Sequence, residues 1–313
     1  MCCLVLVSSL LTQSIANAQL TVNVKNKGGE VVRQSIISNT TQDTIHLEFT
    51  KTDGTLITQF VDFANEIQIF RAIIQGEEER GFTGHQVMCF VTRFIRHEFI
   101  SSDAMSKLRQ KNPGAIRHPE EDKGVETVQT DLLVDLNEAS LFSPYVLSLC
   151  SGAKESTYTR DSDLKLLAHT LGKDYTQLLS ATSRRSGNTL QRCNDVAEIW
   201  RPCLCHYQTC IGWFPCGLKY CKGKDSTGKV VSYRCGIKTC SKCREFEYYV
   251  SRKQLCLWDE PVWGVTQAAP QQDSMHDANN MDDNNNDDED SKVNGVVEET
   301  ADKISDDANI LKK

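Results

Sequence analysis

The first half of the chain alternates apolar and polar residues with the period of two that a half-buried β-strand requires. Leu20, Val22 and Val24, for example, are separated by polar residues. Predicted strands cover residues 20–25, 31–37, 45–50, 56–63, 66–74, 86–94 and 125–136. Gly28-Gly29 and Asp53-Gly54 supply the turns of two hairpins. The pattern therefore predicts a sheet-rich N-terminal half.

Apolar residues at helical spacing follow the strands. Helices are predicted after Ser101 or Ser102, from Pro144, over residues 161–172 and after Asp174. The third is the clearest, because its apolar residues recur at helical spacing and Gly172 ends it. Strands and helices together predict an α+β domain over residues 19–152 and a helical connector over residues 153–190.

Charge divides the 313-residue chain into a near-neutral body and an acidic tail. The net charge is −7; residues 264–313, with thirteen acidic residues and four lysines, contribute −9, which leaves +2 for residues 1–263. The tail has too little apolar content to offset the entropy of ordering, so we expect it to be disordered. The body lacks the basic surface of a nucleic-acid binder. No apolar run reaches the ~18–20 residues of a membrane-spanning helix, and we expect no membrane insertion.

The N-terminus has the pattern of a secretory signal peptide. Residues 1–18 contain an apolar stretch and end in Ala16-Asn17-Ala18, the small-x-small pattern that signal peptidase cleaves, so the mature chain is expected to begin at Gln19. No Lys or Arg precedes Leu4, and the alternative is a buried first strand in a cytosolic protein. Asn39 begins an Asn-Thr-Thr acceptor for N-glycosylation, which matters only on the secretory route. We expect a secreted, extracellular glycoprotein.

Cysteine usage supports an oxidising compartment. Of the 14 cysteines, Cys2 and Cys3 leave with a signal peptide, and an even number remains. Ten of these lie within a cysteine-rich domain at 191–263: Cys193, Cys203, Cys205, Cys210, Cys216, Cys221, Cys235, Cys240, Cys243 and Cys256. A domain of about seventy residues has a small core, and disulfides of ~2–4 kcal/mol each commonly stabilise such domains. The spacing does not determine which cysteines pair.

Two further interpretations of the cysteine-rich domain remain open. Cys240 and Cys243 have the spacing of a zinc knuckle, and Cys203, Cys205 and His206 offer thiolate and imidazole together. A zinc site would need a second knuckle, so disulfides are the preferred interpretation. Residues 193–263 also carry eleven Lys and Arg against seven acidic residues, which fits either a basic face for an anionic partner or an ordinary solvated surface.

No motif predicts catalysis or a cofactor. The sequence lacks Gly-x-Ser-x-Gly, His-Glu-x-x-His and Gly-rich phosphate-binding patterns, and its seven histidines are scattered singly. Cysteines that can all pair are poor candidate nucleophiles. We therefore expect a non-enzymatic protein without a cofactor or metal. Arg184-Arg185 is either a processing site or part of an exposed loop.

Six segments carry a family resemblance. They are CFVTRF at 89–94, AMSKLRQKNPGAIR at 104–117, CLCHY at 203–207, PCGLKYC at 215–221, YRCGIKTC at 233–240 and QLCLWDE at 254–260. As a set they resemble the out at first family of secreted animal proteins, over about Leu20 to Glu260. The resemblance implies an extracellular protein with developmental roles, including in the insect nervous system. Cys210 and Cys243 are additional to the family pattern, and a bond between them would be an extra bridge.

The N-terminal half is similar in turn to BRICHOS domains. Those have strands around a helix, a Cys followed by an aromatic residue, a second Cys near a C-terminal helix and an acid after a strand. Cys89-Phe90, Cys150 and Asp62 occupy these positions here. The resemblance implies a disulfide between Cys89 and Cys150. Asp62 is then either a pH-sensitive acid, buried without a partner, or the cap of the turn before Ala64-Asn65.

The expected architecture is thus a BRICHOS-like antiparallel sheet with helices, a small disulfide-rich domain and a disordered acidic tail. The expected function is binding: the cysteine-rich domain would engage an extracellular protein partner, with exposed aromatic residues as anchors. The alternative, which follows from the BRICHOS similarity, is a chaperone whose sheet receives extended, β-prone chains by strand addition.

Overall fold

The computed structural model describes residues 17–25, 29–76, 84–110, 112–184 and 190–256. The predicted acidic tail and most of the predicted signal peptide lie outside these ranges. The strands are β1 (Asn17–Lys25), β2 (Val31–Asn39), β3 (Thr44–Thr50), β4 (Leu56–Asp62), β5 (Ile67–Ile74), β6 (Gln86–Arg93), β7 (Ile116–Arg117), β8 (Glu121–Gln129), β9 (Leu132–Val134), β10 (Thr157–Thr159), β11 (Thr182–Arg184), β12 (Cys203–Lys224) and β13 (Val230–Val250). The helices are α1 (Ser102–Ser106), α2 (Pro144–Cys150), α3 (Asp161–Leu171) and α4 (Tyr175–Ser180).

The alternation in the first half forms a ten-stranded sheet, called here the large sheet. Strands β1 to β6 are successive antiparallel neighbours, and these pairs include the two predicted hairpins, β1–β2 and β3–β4, the second with its turn at Asp53-Gly54. Gly28 of the first predicted turn lies outside the described residues. Gly54 has a φ of +81°, a conformation that glycine adopts without strain. The short strand β10 lies parallel to β6, and β9 and β11 extend that edge. At the other edge, β7 pairs with two residues of β1.

One predicted strand, over residues 125–136, is two strands in different sheets. β8 belongs to the sheet of the C-terminal hairpin, and β9 belongs to the large sheet. The chain changes sheets at Thr130, whose backbone N–H and hydroxyl donate to the Glu247 carbonyl at 2.9 and 2.8 Å. Val128 and Leu132, on either side, fill different hydrophobic cores. Alternation alone does not distinguish one long strand from two that change sheets.

The fold is mostly β, which corrects the expected α+β class. Strands dominate the described residues, and the longest helix, α3, has 11 residues. The predicted helices are present but short, and α3 ends at Gly172 with a φ of +62°. Residues 153–190, expected as a helical connector, also contain β10 and β11, which complete the large sheet. In the part of the chain that the structure describes, no helix is long and apolar enough to cross a membrane.

The cysteine-rich region forms one long antiparallel hairpin. β12 has 22 residues and β13 has 21, and the pairing runs from Cys203 opposite Val250 to Lys224 opposite Val230. The hairpin reverses at residues 225–229, where Gly228 has a φ of +83°. β8 pairs in parallel with β13 and completes a three-stranded sheet.

An aromatic cluster joins the hairpin to the large sheet. Phe90 of β6 stacks on Phe246 of β13 with ring centroids 4.0 Å apart and planes inclined by 11°. Both rings are fully buried. The Tyr158 hydroxyl of β10 donates to the Tyr249 carbonyl at 3.0 Å. The two halves of the chain therefore share one hydrophobic core.

A network of charged side chains reinforces the same contact. Arg244 of β13 is buried and lies 3.3 Å from both Glu98 and Glu126. Lys242 bridges the same two carboxylates at 2.9 and 2.8 Å. The Arg244 guanidinium also lies over the Phe70 ring, 4.7 Å from its centroid. Glu98 and Phe70 belong to the N-terminal half, so this network joins the two halves of the chain. Removing one charged partner would leave the remaining charge buried without its counter-charge.

Candidate binding surface

All twelve described cysteines are in disulfides. The pairs are Cys89–Cys150, Cys193–Cys203, Cys205–Cys256, Cys210–Cys243, Cys216–Cys240 and Cys221–Cys235. The first is the pair that the BRICHOS resemblance implied. Cys210–Cys243 is the extra bridge expected if the two cysteines additional to the family pattern pair with each other. These residues are direct cross-strand neighbours, with Cα atoms 3.9 Å apart.

This pairing occupies the sulfurs on which the zinc interpretation depended. Cys240 and Cys243 are bonded to different partners. The Sγ atoms of Cys193, Cys205 and Cys256 lie within 4.8 Å of one another, but they belong to two adjacent disulfides. A sulfur in a disulfide is not a thiolate, so these atoms do not form a tetrahedral ligand set in the oxidised protein.

Asp62 ends β4 at a buried position and caps the turn that follows. Its carboxylate accepts hydrogen bonds from the backbone N–H and the side-chain amide of Asn65, at 3.1 and 2.7 Å. It also accepts one from the Ser143 hydroxyl at 2.8 Å. The pH-sensitive alternative required a buried carboxyl without a partner, whereas this carboxyl has three donors. The geometry matches the turn-cap interpretation.

Asn39, the predicted glycosylation acceptor, is the last residue of β2. Its Oδ1 accepts from the backbone N–H groups of Thr41 and Gln42 at 3.0 and 3.1 Å. Its Nδ2 donates to Gln42 Oε1 at 3.0 Å. The acceptor nitrogen thus lies in a surface turn between β2 and β3. Glycosylation stays a prediction.

The predicted cleavage sites lie at strand ends. Ala18 and Gln19 belong to β1, so cleavage between them would leave most of that strand paired with β2. Arg184 ends β11, and its guanidinium lies 3.7 Å from Asp161. Arg185 lies outside the described residues. Both cleavages stay predictions.

The structure surrounds His206 with charged groups. Its Nδ1 lies 3.1 Å from Glu245 and its Nε2 lies 2.9 Å from Glu247, both on the facing strand β13. Cross-strand pairs of this kind stabilise a hairpin. The arrangement therefore has a structural explanation, and the expected lack of enzymatic activity stays a prediction.

Most aromatic residues of the cysteine-rich region belong to the core. The buried ones are Tyr207, Trp213, Phe214, Phe246 and Tyr248. Trp200, Tyr220 and Tyr233 are exposed at 69%, 60% and 50%. Trp258 lies outside the described residues. Among the aromatic side chains that the structure describes in this region, these three are the strongest candidate anchors for a partner.

Trp200 lies on a short loop, residues 197–202, which we call the Trp200 loop. The Cys193–Cys203 disulfide spans this loop. The Ile199 carbonyl accepts from the Gln254 N–H at 3.1 Å, and a second backbone bond joins the loop to the same C-terminal segment. Ile199 is itself 54% exposed, so two large apolar side chains are displayed on a fixed backbone.

The distal half of the hairpin, residues 217–238, is called here the ribbon; Leu218 and Ile237 at its base pack against the shared core, and the rest extends beyond it. It carries six Lys and Arg and one Asp, a net charge of +5. Cys221–Cys235 links its two strands. Lys219 and Lys238, at its base, form ion pairs with Glu120 and Glu121. The other four cations are exposed and form no ion pair among the described residues: Lys222, Lys224, Lys229 and Arg234.

Sequence reasoning did not identify the ribbon. The signal was present, because Lys222, Lys224 and Arg234 sit at alternate positions on either side of the Asp225–Gly228 turn residues. Averaged over the whole cysteine-rich domain, the excess of Lys and Arg over acidic residues is small, and its concentration at one end of a hairpin follows only from the pairing of β12 with β13.

Comparison with known proteins identifies the family. The family description "Out at first" matches residues 18–167, and "Out at first, C-terminal" matches residues 192–260. The "Out at first protein" of Drosophila virilis is 54% identical over 265 residues, covering 82% of this chain and 87% of that protein. The protein of the same name from Drosophila melanogaster is 53% identical over 264 residues, covering 81% of this chain and 54% of that longer protein. No solved structure shows significant similarity. The chain belongs to the out at first family.

Proposed function

We propose that this protein is a secreted, non-enzymatic binding protein that acts in development, including nervous-system development, through contacts with an extracellular protein partner. Membership of the out at first family supports a developmental role. Six disulfides support an oxidising, extracellular location, since such bonds rarely persist in the cytosol.

The observation that carries the proposal is the Trp200 loop. Trp200 is 69% exposed and its neighbour Ile199 is 54% exposed, so two large apolar side chains lie next to each other at the surface, and a contiguous exposed apolar patch is typical of an interaction site. Tryptophan is enriched among the residues that dominate binding energy at interfaces. Because the disulfide and the backbone bonds already fix the loop, little conformational entropy is lost when a partner binds.

The experiment compares three full-length proteins secreted by animal cells: the wild type, Trp200→Ala and Leu166→Ala. Leu166 is 49% exposed on α3 and serves as the matched apolar control. We expect cross-linking in extracellular fluid to recover one protein with the wild type and the control but not with Trp200→Ala. Recovery of no reproducible partner, or equal recovery by all three, would contradict the proposal. The intact mass of the secreted protein tests removal of the signal peptide, and its gain on reduction tests the number of bridges, because six disulfides add about 12 Da.

A second candidate function, a BRICHOS-like chaperone, is favoured by the edge of the large sheet. A groove of about 910 Å³ borders β11, and Leu133, Ser183 and Tyr249 contribute to its lining. An edge strand beside a groove offers backbone groups to an extended segment. The Cys89–Cys150 bond is a further feature shared with BRICHOS domains.

The chaperone candidate predicts that equimolar full-length protein slows fibril growth of an amyloid-forming peptide. Ser183→Lys should weaken this effect, because a lysine on an edge strand opposes pairing. Ser148→Lys, on the exposed side of α2, is the control. Fibril growth that the wild type does not change would remove this candidate.

A further inference from the structure

The ribbon concentrates positive charge on one of its faces. Residues opposite each other in an antiparallel pair point to the same side, and side chains alternate along each strand. Tyr220 pairs with Arg234, Lys222 with Ser232 and Lys224 with Val230. Three cations therefore share one face with an exposed tyrosine. Tyr220, Lys222 and Lys224 form a row along β12, called here the charged row. Successive side chains of this row lie about 7 Å apart, because an antiparallel strand rises ~3.4 Å per residue.

This face is already rigid in the free protein. The Cys221–Cys235 bond, with Cα atoms 5.7 Å apart, links the two strands next to the charged row. The Asp225 carboxylate accepts from the N–H groups of Thr227 and Lys229 at 2.9 Å each and orders the turn. A ligand would meet charges that are pre-positioned, so little entropy is lost on binding.

The chemistry of the face selects the ligand. The three cations have no acidic partner among the described residues, and burying them in an ordinary protein interface would carry a large desolvation cost. An anionic chain that remains hydrated avoids this cost. The ribbon also lacks a stacked row of aromatic side chains of the kind that binds single-stranded nucleic acids. We propose that this face binds a linear sulfated polysaccharide, whose sulfate groups stay ionised and repeat along the chain. The inference rests on the proposed extracellular location and names a second class of partner.

Heparin is the probe, and two triple variants that lose the same charge are compared with the wild type. The ribbon variant is Lys222→Gln, Lys224→Gln, Arg234→Gln. The control variant replaces three cations elsewhere: Lys107→Gln, Arg109→Gln, Lys154→Gln, all exposed. The full chain has a net charge of −7, so retention on an anionic matrix requires a local cluster of cations.

We expect the wild type and the control to bind heparin, and the ribbon variant to bind roughly 10- to 100-fold more weakly. The slope of log affinity against log salt should fall by about two to three for the ribbon variant, in line with about one per cation. Equal weakening of the two variants, or no heparin binding by the wild type, would overturn the inference. Polyglutamate that displaces bound heparin as strongly as free heparin does would also overturn the inference. The face would then recognise carboxylate chains, such as the acidic sequence of residues 264–313, and not sulfate groups.

A second measurement does not depend on how the variants fold. Acetylation of the wild type with and without heparin should show protection of Lys222 and Lys224 but not of Lys154, and uniform protection would contradict the proposal. Trp200→Ala separates this inference from the proposed function. Trp200→Ala should still bind heparin. If the wild type does not bind heparin but a Trp200-dependent protein partner is recovered, only the present inference is overturned.

Discussion

Replacing Phe246 with Ala removes the ring that stacks on Phe90 at the centre of the shared core. Phe246 is fully buried, with Phe90 at 4.0 Å and Phe70 at 5.5 Å between ring centroids. Substitution of a buried Phe by Ala typically costs ~3–5 kcal/mol, and each lost aromatic pair adds ~0.5–1.5 kcal/mol beyond area burial. Two such pairs place the expected loss at the upper end of the range, at about 5 kcal/mol. Typical domain stabilities are ~5–15 kcal/mol, so this loss is a large fraction of the total.

Urea unfolding with intact disulfides measures this loss. Hydrogen exchange in β2 and β3 reports on the large sheet, and exchange in β13 reports on the hairpin. Because one hydrophobic core serves the large sheet and the hairpin, we expect Phe246→Ala to lower the urea midpoints reported by β2 and β3 and by β13 together. Tyr233→Ala, an exposed position on the ribbon, should change stability by less than ~0.5 kcal/mol. A lowered midpoint for β13 with an unchanged midpoint for β2 and β3 would refute the shared core and indicate two independent domains.

Three other substitutions test separate parts of the structure. Burial lowers the pKa of His46 below its ordinary 6.5, and Glu48 opposes this with a smaller effect. As the pH falls through about 6.5 the unfolded chain therefore takes up the proton first, and the free energy of unfolding decreases. His46→Gln should make the urea midpoint depend less on pH between about pH 7.5 and about pH 5, and an unchanged pH profile would contradict this. Replacing Cys221 and Cys235 together by Ser should speed hydrogen exchange in the ribbon while leaving exchange in the large sheet unchanged, because the bond orders a segment outside the core. The Gln110 side chain accepts a hydrogen bond from the Thr21 N–H of β1 at 3.1 Å and donates one to the Thr21 carbonyl. Gln110→Ala would leave these backbone groups open to another chain, so we expect concentration-dependent self-association in light scattering. A monomer at all concentrations would count against protection of this edge by Gln110.

Strands β1 to β6 of the large sheet were predictable because their information is local, whereas β10 and β11 lie where a helical connector was expected. Alternation and turn residues place β1 to β6 within a few residues of their observed bounds, and Ser101 and Asp174 cap their helices as the sequence indicated. The change of sheet at Thr130 was not predictable, because it depends on a hydrogen-bond partner, Glu247, that lies 117 residues away.

The hairpin was missed for a different reason. Cys203, Cys205 and Ile211 alternate with less buried residues, as a strand requires. The density of cysteines indicates a small core held by cross-links, and it obscures the strand alternation of the same residues. The contact of Phe246 with Phe90 is a long-range packing event, and no local pattern in the sequence indicates it. The division of the chain at residues 152 and 191 therefore overlooked a core to which both halves contribute.

The position of the two exposed surfaces follows from the length of one strand. β12 begins at Cys203, next to the Trp200 loop, and ends at Lys224 on the ribbon. At ~3.3 Å per residue, its 22 residues separate the two surfaces by up to about 70 Å. A protein bound at the Trp200 loop would therefore leave the charged face of the ribbon accessible. Because the shared core fixes β13 to the large sheet, the hairpin cannot move away from the rest of the chain without breaking the stack of Phe246 on Phe90. The fold thus places the exposed Trp200 and the charged face of the ribbon at opposite ends of β12, so the two proposed partners, a protein and a polysaccharide, would not compete for the same surface.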